Sequence, residues 1–156
     1  MDHAAFMREA IAAARQASEG EGGGPFGAVV VREGIIIGRG RNQVTLTRDP
    51  TAHAEVQAIR EACALVGDHR LSGCSIYSSC EPCPMCLGAI YWARLDSLYY
   101  AATRDDAAAI GFDDRRLYDE LPLPPADRSL PITQLLRDEA LTAFSVWTTV
   151  DDHVMY

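Results

Sequence analysis

Apolar positions recur along the chain with two distinct periods. From His3 to Glu19 an Ala-rich stretch without Gly or Pro places Phe6, Ala10, Ala13, Ala14 and Ala17 at three- and four-residue steps. This pattern predicts an amphipathic helix stopped by Gly20. Gly22-Gly23-Gly24-Pro25 predicts a loop. Ala28-Val29-Val30-Val31 and Ile35-Ile36-Ile37 are β-branched runs separated by Glu33-Gly34, the pattern of a hairpin. They are continuously apolar rather than alternating, so both faces of these strands should be covered. Asp49-Pro50-Thr51 predicts the opening of a helix that runs to Val66 and is closed by Gly67. A buried strand is expected from Cys74 to Ser79, a helix from Cys83 to Ala93 and a strand from Leu98 to Ala102. Further helical stretches are expected over Asp105–Ile110 and Arg137–Trp147.

Strands that alternate with helices after the first hairpin imply an α/β sandwich with parallel pairings. Leu121-Pro122-Leu123-Pro124-Pro125, followed by Pro131, reads as a stiff extended connector. The expected organisation is one domain over residues 1–156: a compact body (1–120), the connector (121–131) and a C-terminal arm (132–156). The arm keeps Leu135, Leu136, Leu141, Phe144, Val146 and Trp147, which need a surface to bury against.

Composition narrows the function. No apolar run reaches the roughly 20 residues that cross a bilayer, and the N-terminus lacks the pattern of a secretory signal. Five cysteines, three of them within Cys80–Cys86, favour metal chemistry in a reducing cytoplasm over a disulfide framework. Net charge is −8, and all 14 basic residues are arginine. Without lysine there is no Walker lysine and no Schiff-base catalysis. Beyond Arg115-Arg116 and the scattered Arg39, Arg41 and Arg48, no basic cluster suits a nucleic acid. The expected partner is a small molecule, with neither nucleic acid nor membrane.

Two clusters carry chemistry: Thr51-Ala52-His53-Ala54-Glu55 and Ser79-Cys80-Glu81-Pro82-Cys83-Pro84-Met85-Cys86. Cys83 and Cys86 stand three apart at a predicted helix start, so both sulfurs can reach one ion, and the helix N-terminus favours their thiolates. One His and two Cys make the three-ligand set of a catalytic zinc, whose fourth position takes water. Glu55 supplies the carboxylate that such chemistry needs for moving protons. On a regular helix, however, residues two apart point about 200° from each other, so a bend near His53 must bring it and Glu55 to one centre. A closed site of Cys80, Cys83, Cys86 and His53 is the structural alternative, and it leaves Glu55 without a role. Phe26 can be core or a stacking ring, Asn42 can cap a turn, and Asp113 and Asp114 can be solvated loop charges. Trp92 reads as packing, Cys63 and Cys74 as small core residues, and His3, His69 and His153 as surface residues.

His-Ala-Glu about 30 residues before Pro-Cys-x-x-Cys is the signature of zinc base deaminases. Adding Gly24-Pro25-Phe26-Gly27-Ala28-Val29, Cys80 through Arg94, Gly111-Phe112-Asp113-Asp114 and the terminal Tyr156, the chain resembles the cytidine and deoxycytidylate deaminase superfamily over essentially its full length. The last two features resemble its guanine branch. The resemblance implies a three-layer α/β/α sandwich around a five-stranded mixed sheet. It implies one zinc per chain on His53, Cys83 and Cys86, with Glu55 as proton shuttle. Phe26 and Asn42 would line the base pocket, Asp114 would meet ring N–H groups, and the backbone N–H groups of Ala54 and Cys83 would hold substrate. It further implies a homodimer that swaps its C-terminal arms, with Tyr156 closing the partner's site. The expected reaction is guanine to xanthine and ammonia. The same chemistry on guanosine, an aminotriazine or another aminated base is the near alternative, and a tRNA adenosine deaminase or a structural zinc module the more distant one.

Overall fold

The computed structural model describes residues 2–20 and 23–156. Met1 and the Gly22 part of the expected loop lie outside the described residues. The chain divides into two compact units, the first ending at Asp114 and the second spanning Arg115–Tyr156.

The first unit opens with α1 (His3–Glu19), where Asp2 accepts a hydrogen bond from Ala5 N–H at 3.0 Å and so caps the helix. Strands β1 (Gly27–Arg32) and β2 (Ile35–Arg41) form the hairpin. A short helix α2 (Val44–Thr47) precedes α3 (Ala54–Val66), which ends at Gly67 in the left-handed conformation (φ 73°). Then come β3 (Cys74–Cys80), α4 (Pro84–Trp92), β4 (Ser97–Ala102) and α5 (Arg104–Ala109).

The sheet is mixed, in the order β2-β1-β3-β4. β1 runs antiparallel to both neighbours, and the one parallel pair is β3 with β4, joined by the α4 crossover. Parallel pairing is therefore narrower than expected. The sheet also has four strands rather than five. Beyond β4 the described chain turns helical, and Pro122, Pro124, Pro125 and Pro131 lack the N–H donors that a further ladder needs.

Both faces of the central strands are covered, as their apolar runs require. Ala28, Val30 and Ile76 pack with Ala54, Ala58 and Ala62 of α3, while Val29, Val31 and Tyr77 pack with Ala10 of α1. Two glycines set the layer spacing. A Cβ on Gly27 would strike the Ala10 carbonyl, and one on Gly40 would strike the carbonyl oxygen of Ala54, the first residue of α3. The helix start that carries the chemistry is thus pressed directly onto β2.

The second unit holds α6 (Arg115–Glu120), a 3₁₀ turn (Pro125–Asp127) and α7 (Arg137–Thr148). The predicted connector is not extended throughout. Arg128 donates to the carbonyls of Leu123 (3.0 Å) and Leu121 (3.1 Å), and Ser129 N–H donates to the Glu120 carboxylate at 2.8 Å, folding the segment back on itself. Residues 131–136 have no regular structure.

Candidate active site

The Asp49-Pro50-Thr51 stretch does not open the helix. One Asp49 carboxylate oxygen accepts Thr51 N–H (2.8 Å) and Thr51 O–H (2.7 Å), making a side-chain-closed turn, and Ala52 N–H returns to the Asp49 carbonyl. These bonds hold Asp49 below the ordinary carboxylate range. The turn delivers His53 in extended conformation (φ −71°, ψ 155°) as the N-cap of α3, with Glu55 inside the first turn. This is the bend that the two-residue spacing demanded.

The second cluster repeats the device. Cys83 is the extended N-cap of α4 (φ −64°, ψ 166°), Pro84 opens the helix and Cys86 lies one turn in. Cys83 therefore stands at the helix cap rather than on its face. His53 Nδ1 lies 3.6 Å from Cys83 Sγ and 3.5 Å from Cys86 Sγ, and the three ligand atoms fall within 4.8 Å of one another. Hydrogen bonds from Cys86 and His53 bring the Cys83 thiol down to about 4, so it is a thiolate at neutral pH. Its bond to Cys83 holds Cys86 protonated, with burial adding to the shift. The Cys83 thiolate raises His53 in turn. Two sulfurs and an imidazole sharing protons across so small a volume is the arrangement a soft divalent ion takes over.

Cys80 stands apart. Its Sγ donates to the Thr103 carbonyl at 3.4 Å, and burial pushes the thiol up to about 11. It does not join the three-atom cluster, so the closed four-ligand alternative is not formed.

Glu55 is only 5% exposed. Desolvation raises its carboxyl above the usual range, partly offset by its own N–H and by Ser78, whose Oγ donates to Glu55 Oε1 at 2.9 Å.

On the substrate side, Asn42 is buried and its Oδ1 accepts both Gly24 N–H and Val44 N–H at 3.2 Å. With the oxygen occupied by two donors, the amide turns its N–H groups elsewhere. Phe26 packs edge-on against Phe112, with centroids 4.9 Å apart and planes at 88°. A Cβ on Gly24 would press on both rings. Asp114 is half-buried; desolvation and the nearby Cys83 charge raise its carboxyl. Ala54 is fully buried at the first position of α3, where its N–H has no acceptor within the helix. Tyr156 belongs to the second unit and is 74% exposed.

Sequence reasoning missed Ser78, because a serine inside a buried strand carries no motif; it named Phe112 in the Gly111–Asp114 stretch, but not the packing against Phe26. His3 does more than sit at the surface: its Nδ1 lies 2.8 Å from the hydroxyl of the buried Tyr77. Trp92 is 59% exposed, with the Arg94 guanidinium over its ring.

Residues 1–102 match the cytidine and deoxycytidylate deaminase zinc-binding region. The chain belongs to the cytidine and deoxycytidylate deaminase family. This deaminase is 50% identical over 147 residues to the guanine deaminase of Bacillus subtilis, covering 94% of each chain. The X-ray structure of guanine deaminase from that organism superposes with a TM-score of 0.96 at 47% identity, over 100% of this chain and 99% of that one. The tRNA-specific adenosine deaminase of Agrobacterium fabrum is 43% identical over 105 residues, 67% of this deaminase and 68% of the relative. The family accounts for the α/β architecture and makes zinc the metal of the His53, Cys83 and Cys86 cluster.

Proposed function

We propose that this deaminase converts guanine and water to xanthine and ammonia. The extent of the likeness carries the choice of base. Identity to a guanine deaminase runs over 94% of the chain, whereas identity to a tRNA adenosine deaminase covers 67%.

His53, Cys83 and Cys86 would hold one zinc ion per chain, the three-ligand set of a catalytic zinc. Bound zinc supplies the charge that makes water nucleophilic at neutral pH. Glu55 takes a proton from the attacking water and delivers it to a ring nitrogen as C2 becomes tetrahedral. It then takes the remaining proton from the new C2 hydroxyl and passes it to the amine, so that the C2–N bond breaks, C2=O forms and ammonia leaves. Burial raises its carboxyl above the usual range, the direction that makes a carboxylate a better proton acceptor. Phe26 stacks on the purine, Asn42 offers N–H donors, the Ala54 and Cys83 N–H groups hold the substrate, and Asp114 accepts from ring N–H groups. A carboxylate left unpaired in that pocket disfavours a ring without those donors.

The enzyme is a cytoplasmic homodimer of single-domain chains. Their arms (132–156) exchange, and Tyr156 of one chain closes the other's site. Two features support the exchange. Leu135, Leu136, Phe144 and Val146 are exposed in the chain, as is Tyr156. Among the described residues no strand pairs with the outer edge of β4, where Tyr99 and Tyr100 are partly exposed. Swapping is a low-cost route to a dimer.

Ammonia release across guanine, guanosine, adenine, cytosine and ammeline tests the substrate. Guanine is expected to be preferred. Equal or faster turnover of guanosine moves the assignment to nucleosides, and turnover confined to another base overturns it.

A further inference from the structure

Successive residues of β3 face opposite layers. Cys74 and Ile76 pack into the cluster with Ala54 and Ala58 of α3, and Tyr77 into the cluster with Ala10 of α1. By that alternation Ser78 faces α3, at a position where the layer is otherwise apolar. It is 1% exposed. A hydroxyl buried there costs stability unless it is hydrogen-bonded, and its partner is the Glu55 carboxylate, at 2.9 Å. Nothing about packing requires the hydroxyl, since a strand residue of similar size without it would fill the same space.

We infer that Ser78 is a positioning residue for the proton shuttle: its hydroxyl anchors Oε1 of Glu55 and so aims the other carboxylate oxygen at the reacting water and substrate. This rests on the deaminase reading of the site. Glu55 has three side-chain torsions and sits at the second position of α3, while β3 is a central strand in which Ser78 is paired on both sides, with Ala28 and Tyr100. A bond from the rigid strand to the longer side chain removes rotamers that an acid–base group cannot use. Because Glu55 moves protons more than once per turnover, misaiming it slows the chemical steps while leaving substrate binding intact. Ser78 belongs neither to the three-ligand cluster nor to the Phe26–Phe112 pair, so the zinc ligands and the ring contact stay in place when its hydroxyl is removed.

The test compares Ser78→Val with Ser78→Thr in the zinc-loaded full chain, two side chains of nearly equal volume that differ by the hydroxyl. Ser78→Val is expected to lower kcat for guanine about 10- to 100-fold, the range of a lost hydrogen bond to a charged group. KM should stay within about threefold, as expected when only transition-state interactions are lost. Zinc content should be unchanged. Ser78→Thr should retain kcat within about threefold of wild type, a rescue that a packing role does not give. Equal kcat in the two variants overturns the inference, as does a Val defect confined to KM or accompanied by zinc loss. If Ser78→Val does not fold, Ser78→Ala takes its place against Ser78→Thr with the same outcomes. Wild-type protein in the same assay separates the two readings. No wild-type turnover of guanine sinks the substrate assignment, and the hydroxyl comparison is then read on whichever base is turned over.

Discussion

His53 caps the helix inside whose first turn Glu55 lies, and that one-residue change from extended to helical backbone turns a ligand and an acid–base group toward the same centre. Cys83 and Cys86 are arranged likewise around the start of α4. Both halves of the site are therefore helix N-termini, where unpaired N–H groups and the helix dipole favour thiolates and negative charge.

The ligand set predicts the zinc content of variants. Cys83→Ala and Cys86→Ala should each lose the stoichiometric zinc that wild type retains through purification. Cys80→Ala should keep it, because Cys80 donates to the Thr103 carbonyl. Metal analysis of the three proteins decides, and zinc loss in Cys80→Ala would restore the closed four-ligand arrangement.

Much of this was legible in the sequence. The helices at His3–Glu19 and Pro84–Trp92 and every strand of the sheet follow from periodicity and from Gly and Pro punctuation. The ligands follow from cysteine and histidine spacing. What was not legible depended on contacts distant in the chain. Asp49-Pro50-Thr51 looks like a helix start because Asp favours N-caps, but its carboxylate closed a turn on Thr51 instead. Short α2 and α6 have too few residues for a period to show. Ser78 became a site residue only when β3 brought it beside Glu55.

The close approach of α3 to β2 makes Gly40 irreplaceable. Gly40→Ala places a methyl on the Ala54 carbonyl, a backbone atom that can move only with the helix start. We expect destabilisation of about 3 kcal/mol or more, with zinc loss. Gly88→Ala is the control, since its Cβ meets nothing within 4 Å and Ala favours a helix by about 0.5–1 kcal/mol. Denaturant unfolding of both checks this; comparable effects would mean that the helix start can shift.

Burial of Glu55 also predicts a pH dependence of stability in the zinc-free protein. Its folded pKa is raised above the ordinary 4.5. Its favourable contribution is therefore complete below that ordinary value and is lost as pH rises through the raised one. Glu55→Gln, a neutral isostere, should match wild-type Tm below that range and exceed it at neutral pH. A variant less stable than wild type at pH 7, both without zinc, would show that the carboxylate is stabilised in place.

Arm exchange predicts complementation. Deleting residues 153–156 should leave zinc in place and impair guanine turnover. Refolding deleted chains together with Glu55→Gln chains should restore activity, because one site of each heterodimer then has Glu55 and a donated Tyr156. No recovery on mixing, or a monomer in solution, would mean that the arm packs on its own chain.

In the proposed mechanism Glu55 moves the protons at a three-ligand zinc centre, and one comparison tests this directly: xanthine formation from guanine by zinc-loaded Glu55→Gln and wild type. General acid–base groups contribute about 10²–10⁴-fold. The variant should retain full zinc and lose at least that much turnover; full zinc with activity within about tenfold of wild type would contradict the mechanism.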